Sequence, residues 1–341
     1  MFIPQKTDLQ NSIPQPDRYV VYGWERSYFT HKLMAALHFY DAPWEYQPKI
    51  ADNETEIRLR SGTHQVPVLH TPENWMIGDT TPILHLLDDR FPGRRMFPEG
   101  ADGIVTQVLE EYFDEWIART TVHWRWNYEE NHGLLSMDAA YGDAEKAQQL
   151  VVWGGKVCRA TGVSSEIQQR AAEDEYHRLM QAAETQLSYT PYLLGSRPTA
   201  VDCIFLAGLR AHFLYDPAPK RELYDRYPGV VAWVERDADA WNGSGEAAPV
   251  SAPTPFAVTV LGEMAVTWRR FALGNRAALT AGEKAFVIPM YREDVSYLAR
   301  PYIEQSRQMI VDRIASRLNS AQREDLSDFL DGHGLRDVFF D

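Results

Sequence analysis

A small α/β domain, followed by an all-helical domain and a further helical tail, is the architecture that the sequence predicts. Three observations lead to it. Short β-rich runs alternate with helical periodicity up to about Arg95. Beyond Pro98 the apolar spacing turns helical and stays so. At 341 residues, 45% of them hydrophobic, the chain is long enough for two or three cores.

Residues 1–17 are polar, rich in Gln and Pro and without periodicity, which predicts a flexible lead-in. Tyr19-Val20-Val21-Tyr22 reads as the first strand of a domain over 18–95. After it Leu33, Ala36, Leu37 and Tyr40 recur at helical spacing, so Ser27 stands at a strand-to-helix turn. A helix starting there aims unpaired N–H groups and a partial positive charge at whatever lies beside Ser27, which favours an anion such as a thiolate. In Thr63-His64-Gln65-Val66-Pro67-Val68-Leu69 the proline lacks a ladder donor and marks a turn, predicted cis, rather than a central strand. Trp75-Met76-Ile77 is a third short strand, and Asp79 or Thr80 caps a helix with Pro82 in its first turn.

The all-helical domain is predicted over 99–240. Gly103–Asn131 forms one long helix or a kinked pair, Ala144–Ala160 another, and Ser165–Leu187 a third. Thr199 and Asp202 make a capping box ahead of the apolar run Cys203-Ile204-Phe205-Leu206. Gly, Ser, Ala and three prolines predict a linker over 241–255. A helical extension is expected over 256–341, from the spacing in Phe256–Ala281, Val295–Leu318 and Ala321–Leu330.

The order strand, helix, strand, Val-Pro, two strands and helix resembles the thioredoxin-like domain of the glutathione transferase family. The Thr199–Asp202 box is similar to one on that family's buried central helix. The stretch from Tyr19 onward, with Asp114-Glu115-Trp116, Trp124-Arg125-Trp126 and Leu214-Tyr215-Asp216-Pro217, looks like a long bacterial branch carrying a C-terminal helical extension. The resemblance implies that Ser27 faces the glutathione sulfur, with Tyr22 and Tyr28 as alternative hydroxyls. It implies further that the Val66 backbone, beside Pro67, pairs with the glutathione cysteine, and that Asp79 and Thr80 hold the γ-glutamyl end. Gln65 and His64, which flank Val66 and carry donors, are weaker candidates for the glycine carboxylate.

Tyr112, Trp116, Arg119, His123 and Trp126 are spaced by three or four and share one helical face. Such a stripe is usually core. In the resembled fold the corresponding helix faces the cleft above the thiol site, so Tyr112, Trp116, Arg119 and His123 are candidates to line a second-substrate cleft. Arg119 and His123 are costly to bury without polar partners.

The function so implied is a glutathione-dependent transferase that activates the thiolate for attack on a small electrophilic molecule, with glutathione as co-substrate and a homodimer as its assembly. The rival reading is a non-catalytic binding or scaffold module on the same fold, since function lives in the site and not the fold. Ser27 and Thr30 occupy the positions where a CxxC pair would stand, so transfer is expected over thiol–disulfide exchange. A formal charge of −14 disfavours nucleic acid as a partner. No apolar stretch approaches the ~20 residues of a membrane span, the N-terminus lacks a signal-peptide layout, and Cys158 and Cys203 form no disulfide framework. A cytoplasmic location is therefore expected. The histidines show no ligand spacing, so no metal is expected.

Overall fold

The computed structural model describes residues 13–340 apart from 141, 237–240 and 242. Most of the lead-in predicted over 1–17 thus lies outside the described residues. The chain begins with β1 (Tyr19–Gly23), α1 (Tyr28–Phe39), β2 (Trp44–Pro48), α2 (Ala51–Ser61), β3 (Val68–His70), β4 (Met76–Gly78) and α3 (Thr80–Arg90). The strands form one sheet in the order β2-β1-β3-β4, with β1 and β2 parallel and the other pairs antiparallel. Val21 lies opposite Leu69, and Leu69 opposite Ile77.

Side chains of a strand alternate between faces. Tyr19 and Val21 join the main core, while Val20 and Tyr22 pack with Ile57, Val68 and Met76 on the side of α2. Gly23 ends β1 where a Cβ would lie 2.5 Å from Thr30, so only glycine lets the turn into α1 fold this closely. Ser27 is the N-cap of α1, its Oγ accepting from the Thr30 N–H at 3.3 Å.

The long helix expected over 103–131 is α4 (Gly100–Glu111), a π-helical turn (Tyr112–Ile117) and α5 (Ala118–Trp126) in succession. Beyond it come α6 (Glu129–Ala139), α7 (Ala144–Ala160), α8 (Glu166–Leu187), α9 (Ala200–Gly208), a second π turn (Leu209–Phe213), α10 (Pro217–Arg226) and α11 (Pro228–Val234). Every residue of α9 is buried, and α1 packs along it. Its start is fixed by Asp202, whose carboxylate accepts from the Thr199 N–H at 2.8 Å, the Thr199 hydroxyl at 2.9 Å and the Leu193 N–H at 2.9 Å. Burial pushes the Asp202 carboxyl up to about 6 although these three bonds oppose the shift.

Residues 241–255, read as a linker, are held to the core at several points. Trp241 is buried against Tyr192, Ala247 bridges to Gly195, and the Val250 N–H donates to Asp102 at 2.7 Å. The extension that follows comprises α12 (Pro255–Val266), α13 (Trp268–Thr280), β5 (Ala285–Met290), β6 (Glu293–Leu298), α14 (Pro301–Arg317), α15 (Ser320–Gly332) and α16 (Arg336–Phe339). Here the structure corrects the helix expected from Val295. Residues 285–298 are an antiparallel hairpin, turning at Tyr291 and Arg292, both with positive φ. Phe286 and Met290 on one strand, and Val295 and Tyr297 on the other, alternate inward as a strand requires.

One apolar core runs from Val21 and Leu33 through Phe113 and Phe205 to Phe256, Trp268, Ile310, Leu330 and Phe339. The extension is therefore built into the molecule, with α12, α14 and α15 packed on α4. Among the described residues no helix is long and apolar enough to cross a membrane.

Candidate functional site

A cleft of about 320 Å³ opens between the first domain, the π turn after α4, and the start of α14. Ligand sites commonly run from about 300 to 1,000 Å³. Gln65, Val66, Pro67, Asp79 and Thr80 all line it, together with Phe29, Thr63, Asp114, Glu115, Ala118, Arg300, Tyr302 and Ile303. The structure thus brings together the five residues that the resemblance proposed for the peptide ligand. The Val66–Pro67 bond is cis, and proline here leaves the end of β3 free of a ladder donor.

Asp79 caps α3 in a backbone conformation with φ 71° and ψ 118°, its carboxylate accepting from the Thr81 N–H at 3.3 Å. Burial raises its carboxyl above the ordinary range, and the Tyr302 hydroxyl, which reaches that carboxylate, pulls it back. Behind the loop that carries Gln65, Lys49 donates to the carbonyl of His64 at 2.6 Å and of Gln65 at 3.3 Å. Sequence reasoning passed over Lys49, yet it fixes the loop that presents Val66.

Ser27 does not itself line this cleft; Phe29, two residues on, does. The serine turn is fixed by Arg125, which is buried, pairs with Asp216 at 3.0 Å, and donates to the Arg26 carbonyl at 3.3 Å. Ser27 Oγ spends a lone pair on Thr30 and keeps its O–H to donate. The two alternative hydroxyls are turned away. Tyr28 is buried and donates to the Phe113 carbonyl at 3.2 Å, and Tyr22 lies on the opposite face of the sheet, stacked on His70. Burial raises both phenols.

The second-substrate candidates require correction. Tyr112, Trp116, Arg119 and His123 are almost wholly buried and face α8, away from the cleft. The Glu175 carboxylate accepts from the Tyr112 hydroxyl at 2.5 Å and the Trp116 indole at 2.9 Å, and it pairs with Arg119. Arg119 also bonds the hydroxyl of Tyr291 at the hairpin turn. His123 meets Glu173 at 2.9 Å. The polar partners whose absence would have made burial costly are present, supplied by α8 and the extension. The cleft takes the neighbouring face of the same helix: Asp114, Glu115 and Ala118.

Beneath the cleft Lys32 is fully buried, donating to Asp114 at 3.0 Å, to Thr81 at 3.2 Å and to Glu110. Burial disfavours its charge, but Asp114 and Glu110 outweigh burial and hold it protonated. Burial and the Asp114 charge raise the Glu110 carboxyl, with Lys32 opposing. Both cysteines are free and buried, Cys158 pushed up to about 11 by burial, so neither offers a thiolate. Among the described residues no group of His, Cys, Asp and Glu is arranged to hold a metal.

Two family models match the chain: "Glutathione S-transferase, N-terminal domain" over residues 21–95 and "Glutathione S-transferase, C-terminal domain" over 145–238. Among solved structures, a glutathione S-transferase from Rhodospirillum rubrum is 16% identical with a TM-score of 0.44, covering 64% of this chain and 89% of that one. One from Methylobacterium radiotolerans, in complex with glutathione sulfonate, is 16% identical with a TM-score of 0.44, covering 68% and 98%. A Tau class enzyme from mango is 14% identical with a TM-score of 0.43, covering 66% and 92%. No curated protein matches.

Proposed function

Because the chain belongs to the glutathione S-transferase-like family, we propose that it binds glutathione in the cleft lined by Val66 and Asp79 and activates the thiol for transfer. The observation that carries this reading is the convergence of Gln65, Val66, Pro67, Asp79 and Thr80, from two separate segments of sequence, on one cleft. In the proposed complex the Val66 backbone pairs with the cysteine of glutathione. Asp79 takes the γ-glutamyl ammonium, Thr80 assists it, and Gln65 stands at the glycine end.

The sulfur lies toward Ser27 and the N-terminus of α1. The serine O–H donates to the thiolate, and the helix dipole favours the same charge, so the thiol proton leaves to solvent more readily. The thiolate then attacks a small electrophile: a carbon–sulfur bond forms and the leaving group departs with its electron pair. Phe29, Ala118 and Ile303 supply apolar surface for that second molecule. We propose a homodimer as the assembly, formed on faces other than the stretch of α4 that the extension covers.

Asp79→Ala tests the reading. Calorimetric affinity for glutathione should fall by roughly 1.5–3 kcal/mol, the range for a charge-assisted hydrogen bond. An unchanged affinity removes Asp79 from the site.

A further inference from the structure

The charged residues lining the cleft are Asp79, Asp114, Glu115 and Arg300, three acids and one cation. The nearby lysines are committed elsewhere, Lys32 to Glu110 and Asp114, and Lys49 to the carbonyls of His64 and Gln65. Glutathione at neutral pH carries one ammonium and two carboxylates. A wall of three acids repels those carboxylates unless one of them meets the guanidinium.

Arg300 is held for such a contact. It stands between β6 and α14, outside both matched family domains. Its backbone is clamped by the fully buried Asn275, whose Oδ1 accepts from the Arg300 N–H at 2.7 Å and whose Nδ2 donates to the Arg300 carbonyl at 3.1 Å. The guanidinium rests over the Phe271 ring, 5.3 Å from its centroid. Its acidic neighbour Glu115 is 3.8 Å away, beyond normal hydrogen-bond length, and the side chain is 39% exposed. Burial acts on this guanidinium, with Glu115 and Glu111 offsetting it, and its exposed part faces the cleft with donors for a carboxylate.

Two residues on, Tyr302 reaches Asp79. Glu115 feels the charges of both Arg300 and Asp79. One anion and one cation of the cleft wall, Asp79 and Arg300, are thus linked through Tyr302, two residues on from Arg300. The γ-glutamyl end of glutathione carries its ammonium and carboxylate on one carbon and needs that pairing.

Resting on the glutathione reading above, we propose that Arg300 binds the γ-glutamyl carboxylate, so that the C-terminal extension supplies a ligand-binding residue and makes the site selective for an amino-acid head group. Tyr302 acts as a positioning residue for Asp79.

The test is calorimetry on the full chain with two tripeptides, glutathione and its analogue with a γ-aminobutyryl group in place of γ-glutamyl, which lacks only the α-carboxylate. Arg300→Gln should weaken glutathione about 10- to 100-fold, the effect of losing a charge-assisted bond. The same variant should leave the analogue within about twofold, and Arg300→Lys should restore part of the glutathione affinity. The substitution is partly exposed, and a melting temperature matching wild type confirms the fold. If wild type binds glutathione and Arg300→Gln binds it equally well, or weakens both tripeptides alike, the Arg300 assignment is overturned and the glutathione reading stands. If wild type binds neither, the glutathione reading itself falls and takes the assignment with it.

Discussion

Replacing Glu175 by alanine is expected to cost about 3–5 kcal/mol of stability, the penalty for breaking a buried ion pair from one side. The carboxylate is fully buried and is the common acceptor for Tyr112, Trp116 and Arg119. Without it the Arg119 guanidinium stays buried with the Tyr291 hydroxyl and the ring faces of Trp116 and Tyr291, 4.4 and 5.2 Å from their centroids, to offset its charge. Because Arg119 ties the helix to the hairpin turn, the variant should also loosen the extension, seen as faster amide exchange in β5 and β6. Urea unfolding measures the stability, and a loss under about 1 kcal/mol would mean that water or a rearranged partner replaces the carboxylate.

Lys32→Met should be comparably severe, about 3–5 kcal/mol at neutral pH, because it leaves Glu110 and Asp114 buried side by side without their cation. The sign of its pH dependence follows from the same contacts. Burial and the Asp114 charge already raise the Glu110 carboxyl in the wild type, and loss of Lys32 removes the opposing influence. A carboxyl whose folded pKa is raised contributes stability that is fully present below its unfolded value, about 4.3 for Glu, and is lost as pH rises through the folded value. The deficit of Lys32→Met relative to wild type should therefore be smaller near pH 5 than at pH 8. A deficit constant across that window would show that the carboxylates have moved apart or become hydrated. Asp114 also lines the cleft, so glutathione binding should weaken in parallel.

What the sequence disclosed was local. The cap at Ser27, the Val66–Pro67 turn, the cap at Asp79 and the Thr199–Asp202 box are all decided by residues within a few positions of one another. The shared face of Tyr112, Trp116, Arg119 and His123 was legible too, because helical spacing dictates it. What that face meets was not. Glu175 lies 63 residues from Tyr112, and Tyr291 lies 172 from Arg119, so no spacing rule connects them. The resemblance therefore pointed the stripe at the cleft when long-range partners had already buried it. Arg300 and Tyr302 were hidden for the same reason, since only the return of the extension brings them to the cleft that Asp79 lines. The hairpin over 285–298 differs: Val295-Ser296-Tyr297 alternates in the sequence, but Ala285–Met290 is apolar throughout, and helical spacing on either side masked the pair.

The central claim is that this chain holds glutathione as a thiolate beside Ser27. Ultraviolet titration of the protein–glutathione complex measures it most directly, through the absorbance of the thiolate as pH is raised. The bound thiol should titrate well below the free value of about 8.5, and Ser27→Ala should move it back toward that value while leaving affinity for the peptide largely intact. A bound thiol that titrates like the free one in the wild type, or an equal depression in wild type and Ser27→Ala, would contradict the account.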